Sequence, residues 1–381
     1  MSNLGDHQLG IYLSGMFDGK TPDITTDLAA LEDRAREVLS PQAMGYIVPS
    51  AGHGETARAN RAAFDRWRIV PRMLRGVAAQ RDHSTTVLGT TMPAPVLIAP
   101  VGVQTLAHPD GELATARAAA AVGVPYIHST AAAHTFEQVA EANGDGQRWY
   151  QLYWPTDQDV CLSFLRRARA AGFTTLVLTL DTTLLGWRPA DLDRGFLPFL
   201  HDVGLANYLS DPAFQEKAGG SPTMHWAQMF PHPGLSWDDL PFLRDHWDGP
   251  IVLKGIVSVE DARLAVRHGM DGIVVSNHGG RQVDGAVAAL DALGPIAEAV
   301  GSDLTVLFDS GVRTGADVVK ALALGARAVL LGRPFLYGLA LGGQQGVEHV
   351  LRCLLGELDI TVALSGHSSC GELSRASLQA Q

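Results

Sequence analysis

The stretch TVLFDSGVRTGADVVKALALGARAVLLGRP, residues 305–334, contains one whole structural repeat. An apolar run, TVLFDSG (305–311), ends in a glycine turn, a helix-prone segment follows, and a second run, AVLLGRP (328–334), begins. Both runs are continuously apolar rather than alternating, as expected of strands buried on both faces in a parallel sheet covered by helices. Working outward, the same signature recurs at VLIAPVG (96–102), VPYIHST (124–130), RWYQLYW (148–154), TLVLTLD (175–181), PIVLKGI (250–256) and GIVVSNH (272–278). Helix starts lie between them: Thr135 stands three before Gln138 and Ser258 three before Asp261, both capping-box spacings. Eight such units over about 240 residues predict an α/β fold, a closed (β/α)8 TIM barrel, with a doubly wound open sheet as the alternative.

Two segments fall outside the repeat. Residues 1–90 precede the first strand as an N-terminal extension, in which LAALEDRAREVLS (28–40) reads as an amphipathic helix for the barrel bottom or edge. Residues 186–249, rich in Pro, Gly, Trp and Phe, separate strands four and five and are long enough to act as a lid. The expected organisation is one domain over 1–381, with the barrel in 91–381.

With 46 % hydrophobic residues the chain has ample material for a core, and a formal net charge of −11 argues against nucleic acid as a partner. Three cysteines without C-x-x-C spacing suggest neither a disulfide framework nor a zinc site, and none of the 14 histidines forms H-x-x-x-H. No catalytic metal is expected. The first residues lack the pattern of a signal peptide and no apolar run reaches membrane-spanning length, so a cytoplasmic protein is expected.

Active sites of such barrels sit at the C-terminal strand ends, and here those ends are polar. They carry Pro100-Val101-Gly102, Ser129-Thr130, Gln151 and Tyr153, Thr179 and Asp181, Lys254, Ser276-Asn277-His278, Asp309-Ser310-Gly311, and Gly332-Arg333. Gathering Asp, Lys, His and Arg at one mouth costs several kcal/mol unless the charges are paired or used. The ends of strands seven and eight also place glycine turns and a helix start beside Arg313 and Arg333, which together suit a phosphate.

SNHGGRQVDG (276–285), with HPDGE, QLYW, TLDT, LKGI and DSGVRTGADVVKALALGA, resembles the FMN-dependent α-hydroxy-acid oxidising family. The likeness runs from about Leu28 through the last strand and helix. Within that family IYLSGM, PRML, LGWRPADL, LFDSG and ALGG are most similar to lactate 2-monooxygenases. The resemblance implies FMN as cofactor, a small 2-hydroxy acid and O2 as reactants, and a homotetramer or larger homo-oligomer.

The resemblance also assigns roles. His278 is the base, Asp181 holds its second nitrogen, and Lys254 stands by flavin N1 and O2. Arg281, Arg188 and Tyr46 bind the substrate carboxylate, and Tyr153 meets the reacting hydroxyl. Ser129, Gln151, Thr179 and Ser276 hydrogen-bond the flavin, the Pro100-Val101-Gly102 backbone flanks the ring, and Asp309 takes the ribityl chain. Gly311, Arg313, Gly332 and Arg333 take the phosphate.

The chain departs from the family pattern after Tyr46. Pro49-Ser50 replaces two flexible positions and His53-Gly54 replaces an acid pair, which allows a different placement of the Tyr46 loop. Ala131 stands where some relatives carry an aromatic residue, so a wider substrate pocket is expected.

The resulting expectation is oxidation of an L-2-hydroxy acid, foremost L-lactate, to acetate, CO2 and water. Release of keto acid and H2O2 is the alternative. A nucleotide-processing dehydrogenase barrel needs a nucleophilic cysteine in a mobile loop, for which no cysteine is suitably placed. A silent flavin-binding or assembly protein has only the altered Tyr46 loop in its favour.

Overall fold

The computed structural model describes residues 3–381. The apolar runs form eight parallel strands: β1 (Val96–Ile98), β2 (Tyr126–Ser129), β3 (Arg148–Leu152), β4 (Leu176–Thr179), β5 (Ile251–Ile256), β6 (Gly272–Val275), β7 (Thr305–Phe308) and β8 (Ala328–Leu331). They neighbour one another in chain order, and β8 returns to β1 with Val329 opposite Val96. That closure leaves no edge strand and rules out the open sheet.

Both faces of the strands are apolar because each serves a different core. Leu97, Ile127, Trp149, Val177, Val252, Val274 and Leu307 form one buried cluster inside the barrel. Their alternating neighbours, among them Ile98, Tyr126, Tyr150, Leu178 and Leu253, pack in the layer shared with the helices. Capping follows the sequence: Thr135 and Gln138 form a reciprocal capping box, and Ser258 accepts from the Asp261 backbone N–H.

The barrel bottom is sealed by a hairpin that the pattern of long runs did not predict. Thr85–Val87 and Thr90–Met92 pair antiparallel around Leu88 and Gly89, whose φ values are 49° and 78°. Val87 and Met92 join the barrel-interior cluster, and Trp149 Nε1 donates to Thr90 Oγ1 at 2.8 Å. The helix expected there is real but shorter, Leu31–Val38, and it packs its buried Leu31 and Ala35 near the last helix, Arg333–Leu364.

The insertion buries Phe199, Leu205, Tyr208, Phe214 and Trp226 in the same core as the barrel helices, with Tyr208 edge to face against Phe164 at 4.8 Å between ring centres. Buried Asp211 caps the helix Pro212–Ala218 and pairs with Arg167 at 3.1 Å on the barrel helix Gln158–Ala170. The end of the 186–249 segment, Leu240–His246, is the helix that leads into β5. Among the described residues no helix is long and apolar enough to cross a membrane.

Candidate active site

β6 delivers the chain into an unusual turn. His278, Gly279 and Gly280 have φ values of 58°, 65° and 78°, three successive left-handed residues of which one carries a side chain. Strain of that kind persists only where surroundings over-determine it. Here Ser310 Oγ accepts from the backbone N–H groups of Asn277 and Gly279, at 3.2 and 3.0 Å, and the Asn277 side chain accepts from Gly280 N–H. A Cβ at Gly280 would lie 2.7 Å from the Ala57 backbone nitrogen, so only glycine fits. The turn places the His278 ring at the barrel mouth.

His278 Nδ1 lies 2.7 Å from Asp181 Oδ1, which also accepts from Thr182 Oγ1 at 2.8 Å. Buried Lys254 bridges the two acids of the mouth: its Nζ is 4.0 Å from Asp181 Oδ2, 3.5 Å from Asp309 Oδ2 and 3.2 Å from Ser276 Oγ. Burial opposes ionisation of Asp181, but the His278 imidazole and the Lys254 ammonium outweigh it and hold its pKa down to about 2. Burial lowers His278 below its ordinary value, with Lys254 and Arg188 adding to the effect against the opposing pull of Asp181. The ring is therefore a neutral acceptor at neutral pH, with its Nδ1 side held by a carboxylate. Burial also works against the Lys254 charge, but Asp309 and Asp181 raise its pKa and keep it cationic.

Four guanidinium groups line the same cleft, and two of them, Arg281 and Arg188, stand on its Tyr46 side. Arg281 spends one nitrogen, Nη1, on the carbonyls of Tyr46 and Pro49 at 2.8 and 2.7 Å, and its charge lies 5.2 Å from the Tyr46 ring centre. Arg188 donates from Nε to the Arg281 carbonyl at 3.0 Å and from Nη2 to Gln282 Oε1 at 2.7 Å. Burial and the nearby Arg188 push Arg281 down to about 9. A guanidinium remains charged at neutral pH, so the depression reports an unmatched cation that a carboxylate would relieve.

The departures after Tyr46 leave that residue on the cleft wall. Pro49 has no N–H to contribute, but its carbonyl accepts from both Arg281 and Arg333. Asp284, the acid that closes the motif, accepts from the backbone N–H groups of His53 and Thr56 at 2.7 and 3.1 Å. Ala51 N–H donates to the Gly280 carbonyl at 2.9 Å. The loop is thus stapled to the His278 turn through backbone atoms, which its altered side chains do not disturb.

The cleft, about 1170 Å³ counting the solvent space at its open mouth, reaches from Tyr46, Ala131, Tyr153 and the insertion residues Phe199 and Phe230 down to the ends of β7 and β8. Pro100, Val101 and Gly102 form one wall, while Asp309, Gly311, Arg313, Gly332 and Arg333 line the far end. Ser129, Gln151, Thr179 and Ser276 sit buried at the strand ends. Ser129 Oγ donates to Gln151 Oε1 at 2.7 Å, while Gln151 Nε2 is buried without a hydrogen-bond partner. Thr179 pairs in register with Lys254 of β5. At the far end burial and the neighbouring Arg333 push Arg313 down to about 10, and a Cβ at Gly332 would project into open space. Among the described residues Arg281, Arg313 and Arg333 make no ion pair.

This donor set fits FMN on three separate counts. The buried Gln151 amide N–H at the end of β3, behind the residues that line the cleft, lacks an acceptor such as a flavin carbonyl, the buried Lys254 ammonium lines the cleft, and a glycine and two arginines at its far end lack a dianion. The sequence reading missed Gln282 and Ser310, although both lie in quoted motifs. Gln282 Nε2 donates to the carbonyls of Asp181 and Leu184 at 2.7 and 2.8 Å while its oxygen holds Arg188. No cysteine lines the cleft.

Residues 35–380 match the family model described as FMN-dependent dehydrogenase. An FMN-dependent alpha-hydroxy acid dehydrogenase of Penicillium citrinum is 48 % identical over 383 residues, covering 98 % of this chain and 95 % of that protein. An L-lactate oxidase of Lysinibacillus sphaericus is 44 % identical over 346 residues, 90 % of this chain and 89 % of that one. A solved structure of mandelate oxidase with (S)-4-hydroxymandelic acid superposes with a TM-score of 0.85 at 41 % identity, covering 94 % of this chain and 99 % of that one. Site geometry, barrel and sequence agree: the chain belongs to the FMN-dependent dehydrogenase family and is an FMN-dependent oxidoreductase of 2-hydroxy acids.

Proposed function

We propose that this enzyme oxidises L-lactate, with O2 as acceptor, in the monooxygenase mode that yields acetate, CO2 and water. The observation that carries the reading is a neutral imidazole backed by Asp181 in the same cleft as two underused guanidinium groups. Arg281 and Arg188 bind the substrate carboxylate through their remaining N–H groups, with the Tyr46 hydroxyl beside them. That anchoring presents the hydroxyl-bearing carbon to His278, whose Nε2 takes the proton while Asp181 stabilises the imidazolium that forms. Burial pushes Tyr153 up to about 12, so it stays protonated and donates to the reacting oxygen.

When bound, the flavin accepts the two electrons and passes them to O2. Gln151, with Ser129 bonded to its oxygen, would donate to a flavin carbonyl, and Thr179 and Ser276 would offer further hydrogen bonds to the ring. Lys254 stabilises the negative charge that reduction develops. The Pro100-Val101-Gly102 backbone would lie against the ring, Asp309 would accept from the ribityl hydroxyls, and Gly311, Arg313, Gly332 and Arg333 would hold the phosphate.

The monooxygenase mode requires the keto acid to stay bound while O2 reacts, and the apolar wall that Phe199 and Phe230 of the insertion add to the cleft favours retention. Relatives named L-lactate oxidase and mandelate oxidase support a second reading, in which the keto acid leaves first and H2O2 is released. Purified enzyme is mixed anaerobically with L-lactate and the flavin absorption followed, then products are assayed in air. Bleaching followed by acetate and CO2 is expected. Pyruvate with stoichiometric H2O2 selects the oxidase reading, and a spectrum that no 2-hydroxy acid bleaches overturns both.

A further inference from the structure

We propose that His7, His349 and Cys353 form a binding site for a zinc-class transition-metal ion where the first helix, Asp6–Asp18, meets the last. His349 and Cys353 stand four residues apart and so share one face of the helix Arg333–Leu364, while His7 approaches from the first turn of the other helix. Cys353 Sγ is 3.5 Å from His349 Nε2 and 3.8 Å from His7 Nε2, and the three donor atoms all lie within 4.8 Å of one another. A tetrahedral ion held by a thiolate at about 2.3 Å and an imidazole at about 2.0–2.1 Å separates those two donors by about 3.6 Å. The two sulfur–nitrogen separations are therefore close to the edges of a coordination tetrahedron, and the two imidazole donors lie within 4.8 Å of each other.

The donor chemistry narrows the ion. Two imidazoles and a thiolate are borderline-to-soft ligands, which suit zinc and its neighbours and not magnesium or calcium. His349 Nε2 also lies 3.1 Å from the Thr25 carbonyl. On binding, that nitrogen turns its lone pair to the ion, its proton moves to Nδ1, and the thiol proton is released to solvent. His7 and His349 are half-buried and Cys353 at least so, and with three protein ligands the fourth position of the proposed site falls to water.

A structural need accompanies the geometry. The helix Asp6–Asp18 buries none of its residues, and Leu9, Tyr12, Met16 and Phe17 are exposed. Its tie at the start is a 2.7 Å hydrogen bond from Gly5 N–H to Asp359 Oδ2. An ion shared by His7, His349 and Cys353 would pin it to the barrel's last helix, away from the cleft, whose lining includes none of the three.

Untagged, flavin-loaded enzyme is incubated with zinc sulfate, desalted, and analysed for bound metal, with affinity read by competition against a chromogenic chelator. We expect one equivalent per chain in the wild type. Cys353→Ser, His349→Gln and His7→Gln should each weaken binding by more than about 100-fold, beyond the cost of losing a merely supporting partner. Their flavin absorption and turnover should stay at the wild-type level. Cobalt(II) added to the wild type should also give thiolate charge-transfer absorption and the visible bands of a tetrahedral site, a readout that does not depend on the variants folding. Retention below one equivalent, equal retention in Cys353→Ser, or cobalt binding without the thiolate band would overturn the site. None of these outcomes bears on the lactate reading.

Discussion

The imidazole of His278 and the carboxylate of Asp181 share a 2.7 Å hydrogen bond across 97 residues of chain. That bond orients the ring and supplies the counter-charge it needs when it takes up a proton. On the proposed role of His278 as base the neutral ring is the working form, and because its pKa lies below the ordinary 6.5, activity should be lost as pH falls through a value under 6.5. Asp181 is the group that raises His278, so Asp181→Asn should move this acid limb to still lower pH. The rate of anaerobic flavin reduction should drop about 10²- to 10⁴-fold. His278→Ala should retain flavin but lose reduction. A limb that moves upward in Asp181→Asn, measured by stopped-flow across pH, would contradict the pairing.

Gln282 joins the backbone of the acid to the side chain of Arg188 and so links two halves of the site. Gln282→Leu removes both links and should raise KM and lower kcat. Gln282→Glu keeps the acceptor for Arg188 and loses the donors to Asp181 and Leu184, so KM should stay near wild type while kcat falls about tenfold, the worth of a hydrogen bond or two. Equal effects of the two variants on KM would mean that Gln282 acts through general packing.

Lys254 is the buried cation between two acids, and both stability and chemistry should register its loss. Lys254→Met leaves Asp181 and Asp309 without their shared partner, a change expected to cost about 3 kcal/mol in urea unfolding. Flavin reduction should slow about 100-fold, comparable to removing one fixed donor from a developing negative charge. Full-rate reduction in Lys254→Met would place the ammonium outside the chemistry.

Asp359 offers a stability test far from the cleft. Its fully buried carboxylate meets Arg81 Nη2 at 2.9 Å, His83 Nε2 at 2.8 Å and Gly5 N–H at 2.7 Å. Burial opposes its charge, but bonds from Arg81, His83 and Gly5 hold its pKa down to about 2 from an ordinary 3.8. A depressed carboxylate contributes its full stabilisation above the ordinary value and loses it as pH falls towards the depressed one. Asp359→Asn should cost about 3–5 kcal/mol near neutrality, and the gap to wild type should narrow between pH 4 and 2. Urea denaturation over that range checks this, and a constant gap would refute the linkage.

The amino-acid sequence by itself determined where the eight strands lie, because a strand buried on both faces must be apolar throughout and ends visibly where its polar residues begin. Those ends also named Lys254, His278, Asp309, Gly332 and Arg333, now seen around one cleft, while Asp181 stands behind His278 rather than in the cleft wall. What only the tertiary structure decided are contacts made through backbone atoms. The altered Tyr46 loop is held by the Pro49 carbonyl and the N–H groups of His53 and Thr56, which every residue except proline possesses alike and no side-chain pattern records. The hairpin at Thr85–Met92 escaped for a related reason, since its short strands reveal their purpose only when Val87 and Met92 meet the barrel interior. His349 and Cys353 make only a two-residue spacing on one helix, and His7 lies 346 residues from Cys353, so only the packing of the first helix near the last brings the three donor atoms together.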